Sequence, residues 1–572
     1  MSDTADLGVP RTHADWPVRP WVLALLLGLA GLAIDFVADW DANDWAPWRA
    51  ALTTAFAFGP LAFAFTLDRN RWKEPLVFAV MVALVMAGVA WRVALASETH
   101  VDAPFWMAAG IVAIALALPL FQAGFHRLRW RTPYDETHFH VWTDAISIAG
   151  AMAFVGLSWS LLFLLSQLFV AIEINLLEEL IEESWFGWTF SGAAFGAALG
   201  VLRNQLKVIG TLQAVVMLVF SIIAVPLAIA LAIFLLAVVA SGISVLWNAT
   251  ESPTPLLLSV AVASFVLVNA VVRNGDAEAS GNHVLRWAAL ALALAIFPLA
   301  LLAAISTGTR IAEYGLSPER IWGVIAVAVA VAYGFAYFIA PIRGRMAGWM
   351  ERVRTANLHL AVGTCVLALV LALPLFDFGA ISARNQIARL ESGKVAVDKF
   401  DFDALRWDFG DAGREALESL VKDADARIAG PARTALMQKQ RPYRYAMRDD
   451  TRDERLANLR MEFEDPELRK AVRAYVRDTA FLCSSACVAL DIGPAEARPG
   501  REIAFVSGNF VRREIVDPQN VPPEGAVQAA SAIELGHDDA QPEVTAKSNV
   551  EIREWTGRRI YVDGKPLGEP FE

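Results

Sequence analysis

Apolar residues in this chain fall into long uncharged blocks with short polar breaks. At Asp377 that pattern gives way to the mixed periodicity of a water-soluble domain. Crossing a bilayer core of about 30 Å takes roughly 20 apolar residues in helical form. Blocks that qualify begin near Trp21, Trp48, Pro75, Pro104, Ala145, Phe186, Val208, Thr254, Leu285, Ile321 and Leu360. The stretch Val208–Thr250 carries no charge and reads as one long tilted helix bent at Pro226. Ser241–Pro253 then follows as an interfacial or re-entrant piece. Beyond Asp377, short amphipathic helices come first, one opened by Asp465-Pro466. Strand-like runs follow at Cys487–Ile492, Glu502–Ser507 and Val550–Tyr561, the last a hairpin about Thr556-Gly557, while 515–548 reads as a loop. The predicted fold is an all-α polytopic membrane bundle of about eleven transmembrane helices, followed by a small α+β extracytoplasmic domain. Its segments are an N-terminal tail over 1–20, the bundle over 21–376 and the α+β domain over 377–572.

Cations give the blocks a direction, because Lys and Arg gather in cytoplasmic loops. With the N-terminus inside, sixteen cations fall on the inner side, among them Arg71, Arg127, Arg203 and Arg343. The outer side has four: Arg49, Arg92, Arg310 and Arg320. The tail after Phe376 is then periplasmic. Residues 1–20 have no apolar core or cleavage site, so the first span is expected to serve as an uncleaved anchor. Trp21, Trp48, Trp72, Trp91 and Trp322 fall near expected span ends, where such rings anchor among headgroups.

Composition sharpens this split. Mean hydropathy is +0.44 over 572 residues. Residues 377–572 hold 29 of the 49 Lys and Arg and 35 of the 60 Asp and Glu, so charge concentrates where water is the solvent. A formal charge of −11 argues against a nucleic-acid partner, which would need a basic face.

Few residues suggest chemistry. His138 and His140 alternate ahead of the fifth span and would share one face of an extended segment, the only weak candidates for metal ligands. No third ligand has diagnostic spacing, so neither a metal nor any cofactor is expected. Gly192, Gly196 and Gly200 form a small-residue ridge for close helix packing, inside the bundle rather than between copies. Cys483 and Cys487 would form a local disulfide in an oxidising periplasm. Glu173, Glu178, Glu179, Glu182 and Glu183 alternate with leucines as a surface amphipathic helix. No nucleophile elbow, phosphate loop or zinc-protease helix occurs, so catalytic residues are unknown and an enzyme is the less favoured reading.

Ahead of the tenth span stands Arg310-Ile-Ala-Glu-Tyr314-Gly315-Leu-Ser317-Pro318-Glu319-Arg320-Ile-Trp322, a helix start with a capping Ser and Pro in the first turn. Together with the Gly192–Arg203 span, the exit Leu373-Pro-Leu-Phe-Asp377-Phe-Gly-Ala-Ile-Ser382-Ala-Arg384 and the run Phe400-Asp-Phe-Asp-Ala-Leu-Arg406, it resembles a bacterial membrane family catalogued as domain of unknown function 4153. The likeness covers roughly 130–430. It implies a polytopic inner-membrane protein of diderm bacteria and supplies no activity. The function expected first is an integral inner-membrane protein that anchors, or signals to, a periplasmic domain with an envelope role. Alternatives are a transporter or lipid-handling protein and a membrane-embedded enzyme. Expected partners are the lipid bilayer and an envelope protein met through the periplasmic domain.

Overall fold

A computed structural model describes residues 16–39, 46–96, 100–242, 253–275, 279–439, 441, 455–479, 482–483, 485–495, 499–507, 510–518, 550–554, 558–562 and 564–571. The chain divides into two compact units, Met1–Lys439 and Gln440–Glu572. The first unit therefore continues past Asp377, taking in four short helices that follow the last span.

The long helices of the first unit are α1 (Arg19–Asp39), α2 (Pro47–Thr66), α3 (Lys73–Ala96), α4 (Ala103–Gln122), α6 (Tyr134–Val170), α8 (Ser184–Asn204), α9 (Leu206–Ser241), α10 (Pro253–Val272), α11 (His283–Tyr314) and α12 (Pro318–Ala372). Between them lie α5 (Phe125–Leu128) and α7 (Leu176–Glu182), the latter holding the Leu- and Glu-rich stretch. Among the described residues, ten segments are long and apolar enough to cross a membrane, two of them within α12. The expected span from Trp48 is α2, which is not one of the ten. Arg49, Thr53, Thr54, Gly59 and Pro60 dilute its apolar content. It nonetheless runs alongside its neighbours: Arg49 donates to the carbonyls of Val37 and Ala38 at one end, and Gln122 donates to Phe65 O at 2.9 Å at the other. The bundle's surface is apolar where water would penalise it. Leu164, Leu236 and Val239 are 68%, 70% and 83% exposed, as suits side chains that meet lipid.

α9 is a single 36-residue helix with Pro226 inside it, and the expected piece over Ser241–Pro253 lies almost wholly outside the described residues. α12 is a different case. Fifty-five residues of straight helix would be about 80 Å long at 1.5 Å per residue. Yet the Tyr337 hydroxyl lies 2.8 Å from Asn357 Oδ1, and Thr364 Oγ1 lies 3.4 Å from the Tyr333 hydroxyl. Such contacts over 20 and 31 residues require the chain to fold back. α12 is thus a helical hairpin whose arms, Pro318–Gly344 and Gly348–Ala372, are the last two spans.

After Asp377, which caps the next helix by accepting from Ala380 N at 2.8 Å, come α13 (Phe378–Glu391), α14 (Phe402–Trp407), α15 (Gly410–Leu420) and α16 (Ala426–Met437). They share a core of Leu390, Phe400, Leu405, Phe409, Leu417 and Ala432. α13 is tied to the segment between α11 and α12. Arg389 donates to the carbonyls of Ala312 and Glu313, Gln386 to those of Tyr314 and Leu316, and Leu316 N donates to Asn385 Oδ1. Gly315 adopts φ +77°, and a side chain there would collide with Arg389 and Gln386. A residue without Cβ is required on both counts.

The second unit contains α17 (Pro466–Asp478) and two sheets. Strands β1 (Leu459–Met461), β2 (Cys487–Pro494), β3 (Arg501–Ser507) and β4 (Phe510–Val516) pair in that order, the first pair parallel and the rest antiparallel. A second antiparallel sheet holds β5 (Val550–Glu554), β6 (Arg558–Val562) and β7 (Lys565–Phe571). The hairpin expected over Val550–Tyr561 is the β5–β6 pair, with its turn outside the described residues. Val472 and Val476 of α17 pack against Ile503 and Phe505, while Val488, Leu490 and Val506 meet Ile560 and Val562. β2 and β3 are therefore covered on both faces, which is why they read as unbroken apolar runs. The predicted loop over 515–548 lies almost wholly outside the described residues.

Candidate functional site

Asn269, Asn357 and Tyr134 line one end of a cavity between α6, α10 and α12, and Tyr337 and Asn274 are hydrogen-bonded to its lining. Asn269 of α10 donates to the Tyr337 hydroxyl at 2.7 Å; Tyr337 donates to Asn357 Oδ1 at 2.8 Å; Asn357 donates back to Asn269 Oδ1 at 2.8 Å. The result is a closed three-membered ring joining α10 to both arms of α12. Tyr134, at the start of α6, stands 3.3 Å from both Asn269 Oδ1 and Asn357 Nδ2. Tyr337 is fully buried and Asn269 nearly so. Polar groups at such depth cost free energy unless every one finds a partner, and here the partners are each other. Beside the ring, Arg354 donates to Val272 O at 2.8 Å and completes the end of α10.

The third asparagine belongs to an imidazole. His138 is 6% exposed. Its Nε2 lies 3.2 Å from Trp142 Nε1, which can only donate, so Nε2 accepts and the proton is on Nδ1. Nδ1 then donates to Asn274 Oδ1 at 2.5 Å. Both ring nitrogens are thus occupied within the protein.

Above this polar end the cavity opens to a volume of about 600 Å³. Leu258, Val262, Phe265, Ala326, Ala330 and Ala361 form its walls, drawn from α10 and the two arms of α12. Apolar walls with a few convergent polar groups at one end, at this volume, are the usual form of a small-molecule site.

The expected pairing of His138 with His140 does not survive the local geometry. The lead-in to the fifth span forms the first turns of α6, not an extended segment. Two residues apart on a helix is a rotation of about 200°, so His138 lines this cavity and His140 lines a second one on the far side of α6. Among the described residues no group of three or more His, Cys, Asp or Glu is disposed to hold a metal ion. The glycine ridge lies against α1. A methyl at Gly192 would fall on the Leu27 carbonyl, one at Gly196 on the Leu23 carbonyl, and one at Gly200 on Pro20. In the second unit Cys483 and Cys487 are joined as a disulfide with Cα atoms 5.0 Å apart, and both are buried.

Sequence reading did not single out Asn269, Asn274 or Tyr337. Asn269 is the one signal it offered: an amide inside an otherwise apolar span has to find a partner there.

A family model described as a domain of unknown function, DUF4153, matches residues 22–420, which is more than half of the chain. No curated protein and no solved structure matches. The chain belongs to the DUF4153 family and is a multi-pass integral membrane protein.

Proposed function

We propose that this member of the DUF4153 family handles lipid, holding an amphipathic molecule in the cavity between α6, α10 and α12. One observation carries the reading: a space of about 600 Å³ whose walls are apolar and whose closed end presents Tyr134, Asn269, Asn357 and His138. A lipid tail matches the walls, and a hydroxyl, ester or amide at its polar end matches the ring. The cation distribution supports an inner-membrane protein with the polar end of the cavity on the cytoplasmic side and the tail in the periplasm.

Purification in native lipid followed by mass spectrometry of the intact complex tests it. Wild type is expected to carry one stoichiometric lipid, and Ala330→Trp, which fills the cavity, to lose it. Equal lipid occupancy in both proteins would overturn the proposal.

A second reading, anchoring or signalling to an envelope partner, is supported by the polar ties of Asn385, Gln386 and Arg389 to 312–316. These couple α13 to the ends of two membrane helices, so a displacement of α13 would be felt in the bundle. Loss of partner capture on Gln386→Ala, with lipid occupancy unchanged, would favour this reading over the first.

A further inference from the structure

The second cavity, on the opposite face of α6, has about 270 Å³ and is lined by charged residues of both signs. It gathers residues from α1, α2, the α2–α3 turn, α3, α4, α5, α6 and α8. Glu74 is occupied: it pairs with Arg127 and lies 3.5 Å from His126 Nε2. The remaining charges are arranged differently. Asp144 Oδ1 accepts from Gln122 Nε2 at 3.2 Å, but Asp144 Oδ2 is buried with no hydrogen-bond partner. Arg203 donates to Ala64 O at 2.5 Å, and its own carbonyl accepts from Arg19 at 3.0 Å. Among the described residues no ion pair joins Asp144 to Arg203, and neither Asp68 nor Arg71 forms one.

Asp144 and Arg203 act on each other across the cavity without touching, which leaves room between them for a ligand that reaches both. A simple anion would satisfy Arg71 and Arg203 but sit against Asp144; a simple cation would meet the reverse objection. A ligand with both signs satisfies both. The volume corresponds to about nine waters at ~30 Å³ each, too large for one ion and too small for a whole lipid. Guanidinium groups favour phosphate oxygens, and a carboxylate with a free oxygen favours an ammonium.

We propose that this cavity binds a zwitterion of the phosphoethanolamine type, with Arg203 and Arg71 on the phosphate and Asp144 on the ammonium. The ligand is either the headgroup of a phosphatidylethanolamine in the adjoining leaflet or a soluble phosphodiester of ethanolamine. The site is separate from the cavity holding the polar ring, and its occupancy does not depend on that cavity's ligand.

The test uses the full chain carrying Ala330→Trp, so that lipid in the first cavity does not contribute. Reconstitution in nanodiscs of equal phosphatidylethanolamine and phosphatidylglycerol, followed by mass spectrometry of bound lipid, reads headgroup selectivity. Titration with glycerophosphoethanolamine reads the soluble source. Binding in either arm, with Asp144→Asn reducing preference for the ethanolamine form about tenfold and Arg71→Gln weakening phosphate-bearing ligands of both kinds, is the expected result. Absence of binding in both arms, or selectivity unchanged in a folded Asp144→Asn protein, would overturn it. Because Arg71 is exposed and its guanidinium has no hydrogen bond or ion pair among the described residues, Arg71→Gln is expected to fold and keeps the experiment decisive.

Discussion

The guanidinium of Arg92 lies 3.6 Å from the centroid of the Trp106 ring. From that position it donates to the carbonyls of Ala372 at 3.1 Å, Leu373 at 2.9 Å and Phe376 at 3.4 Å, where the last span ends. Trp106 in turn donates to Asp102 Oδ2 at 3.2 Å. A planar cation is thus held on an aromatic face while its fork satisfies carbonyls that a helix leaves open at its C-terminus. Arg92→Ala is expected to cost about 2–3 kcal/mol, from charge-assisted hydrogen bonds and the cation–π contact together. Arg92→Lys should recover only part of this, since an ammonium lacks the fork. Thermal unfolding in detergent compares the three; equal melting of Lys and Arg forms would refute the geometric account.

Backbone contact between α1 and α8 makes a graded prediction. Gly196→Ala puts a methyl on the Leu23 carbonyl and is expected to destabilise by about 1–3 kcal/mol, as overpacking does. Gly210→Ala on α9 meets nothing within 4 Å and should be neutral or stabilising by about 0.5–1 kcal/mol. Parallel melts of the two variants decide it, and equal behaviour would count against the close approach.

The ring of Asn269, Tyr337 and Asn357 should respond to loss of one hydroxyl. Tyr337→Phe removes the acceptor for Asn269 and the donor to Asn357 while keeping the volume. Each amide is then left one partner short, an expected loss of about 1–3 kcal/mol. Leu358→Ile nearby serves as the control for packing alone.

Tail chemistry tests the topology. Denaturing protein purified without reductant and alkylating it should label Cys365 alone, with Cys483 and Cys487 protected by their bond. Three labels would mean that the tail matured in a reducing compartment, and the periplasmic assignment would fail.

Alkali should act through Tyr475. Burial first, then its hydrogen bond to Glu514 and the charge of Glu514, push its hydroxyl above the usual range. Glu514 is itself buried and paired with Arg512 at 2.7 Å. A pKa raised in the folded state contributes stability that is complete below the unfolded value, about 10, and is lost as pH rises beyond it. Near-ultraviolet circular dichroism of the full chain should show an alkaline transition that is shallower in Tyr475→Phe. An identical transition in the two proteins would remove Tyr475 from the explanation.

The spans were legible because a bilayer demands a fixed length of apolar helix, and little else in a sequence satisfies that demand. α2 marks the limit. Arg49 and two threonines lower its hydropathy, and the partners of Arg49, the Val37 and Ala38 carbonyls, are visible only in three dimensions. The polar ring was illegible for a related reason. Asn269 alone announces an unmet need, but nothing in the order of residues says that Tyr337 and Asn357, 68 and 88 positions later, meet it. The segment Arg310–Trp322 was read correctly as a helix start, with Ser317 accepting from Arg320 N at 3.3 Å. What Gly315 is for is visible only in three dimensions, where Arg389 and Gln386 lie against it. His138 and His140 were misread because a polar lead-in rich in Asp, Glu and Thr resembles loop, whereas Asp135 and Glu136 suit the first turn of a helix.

The hairpin of α12 also has a consequence for biogenesis. Its second arm emerges from the ribosome last among the membrane segments, and until it does, Asn269 and Tyr337 have no third partner. A nascent chain stalled before Asn357 would leave the Tyr337 hydroxyl proton without its acceptor in hydrocarbon, so the final insertion event is the one that closes the polar ring.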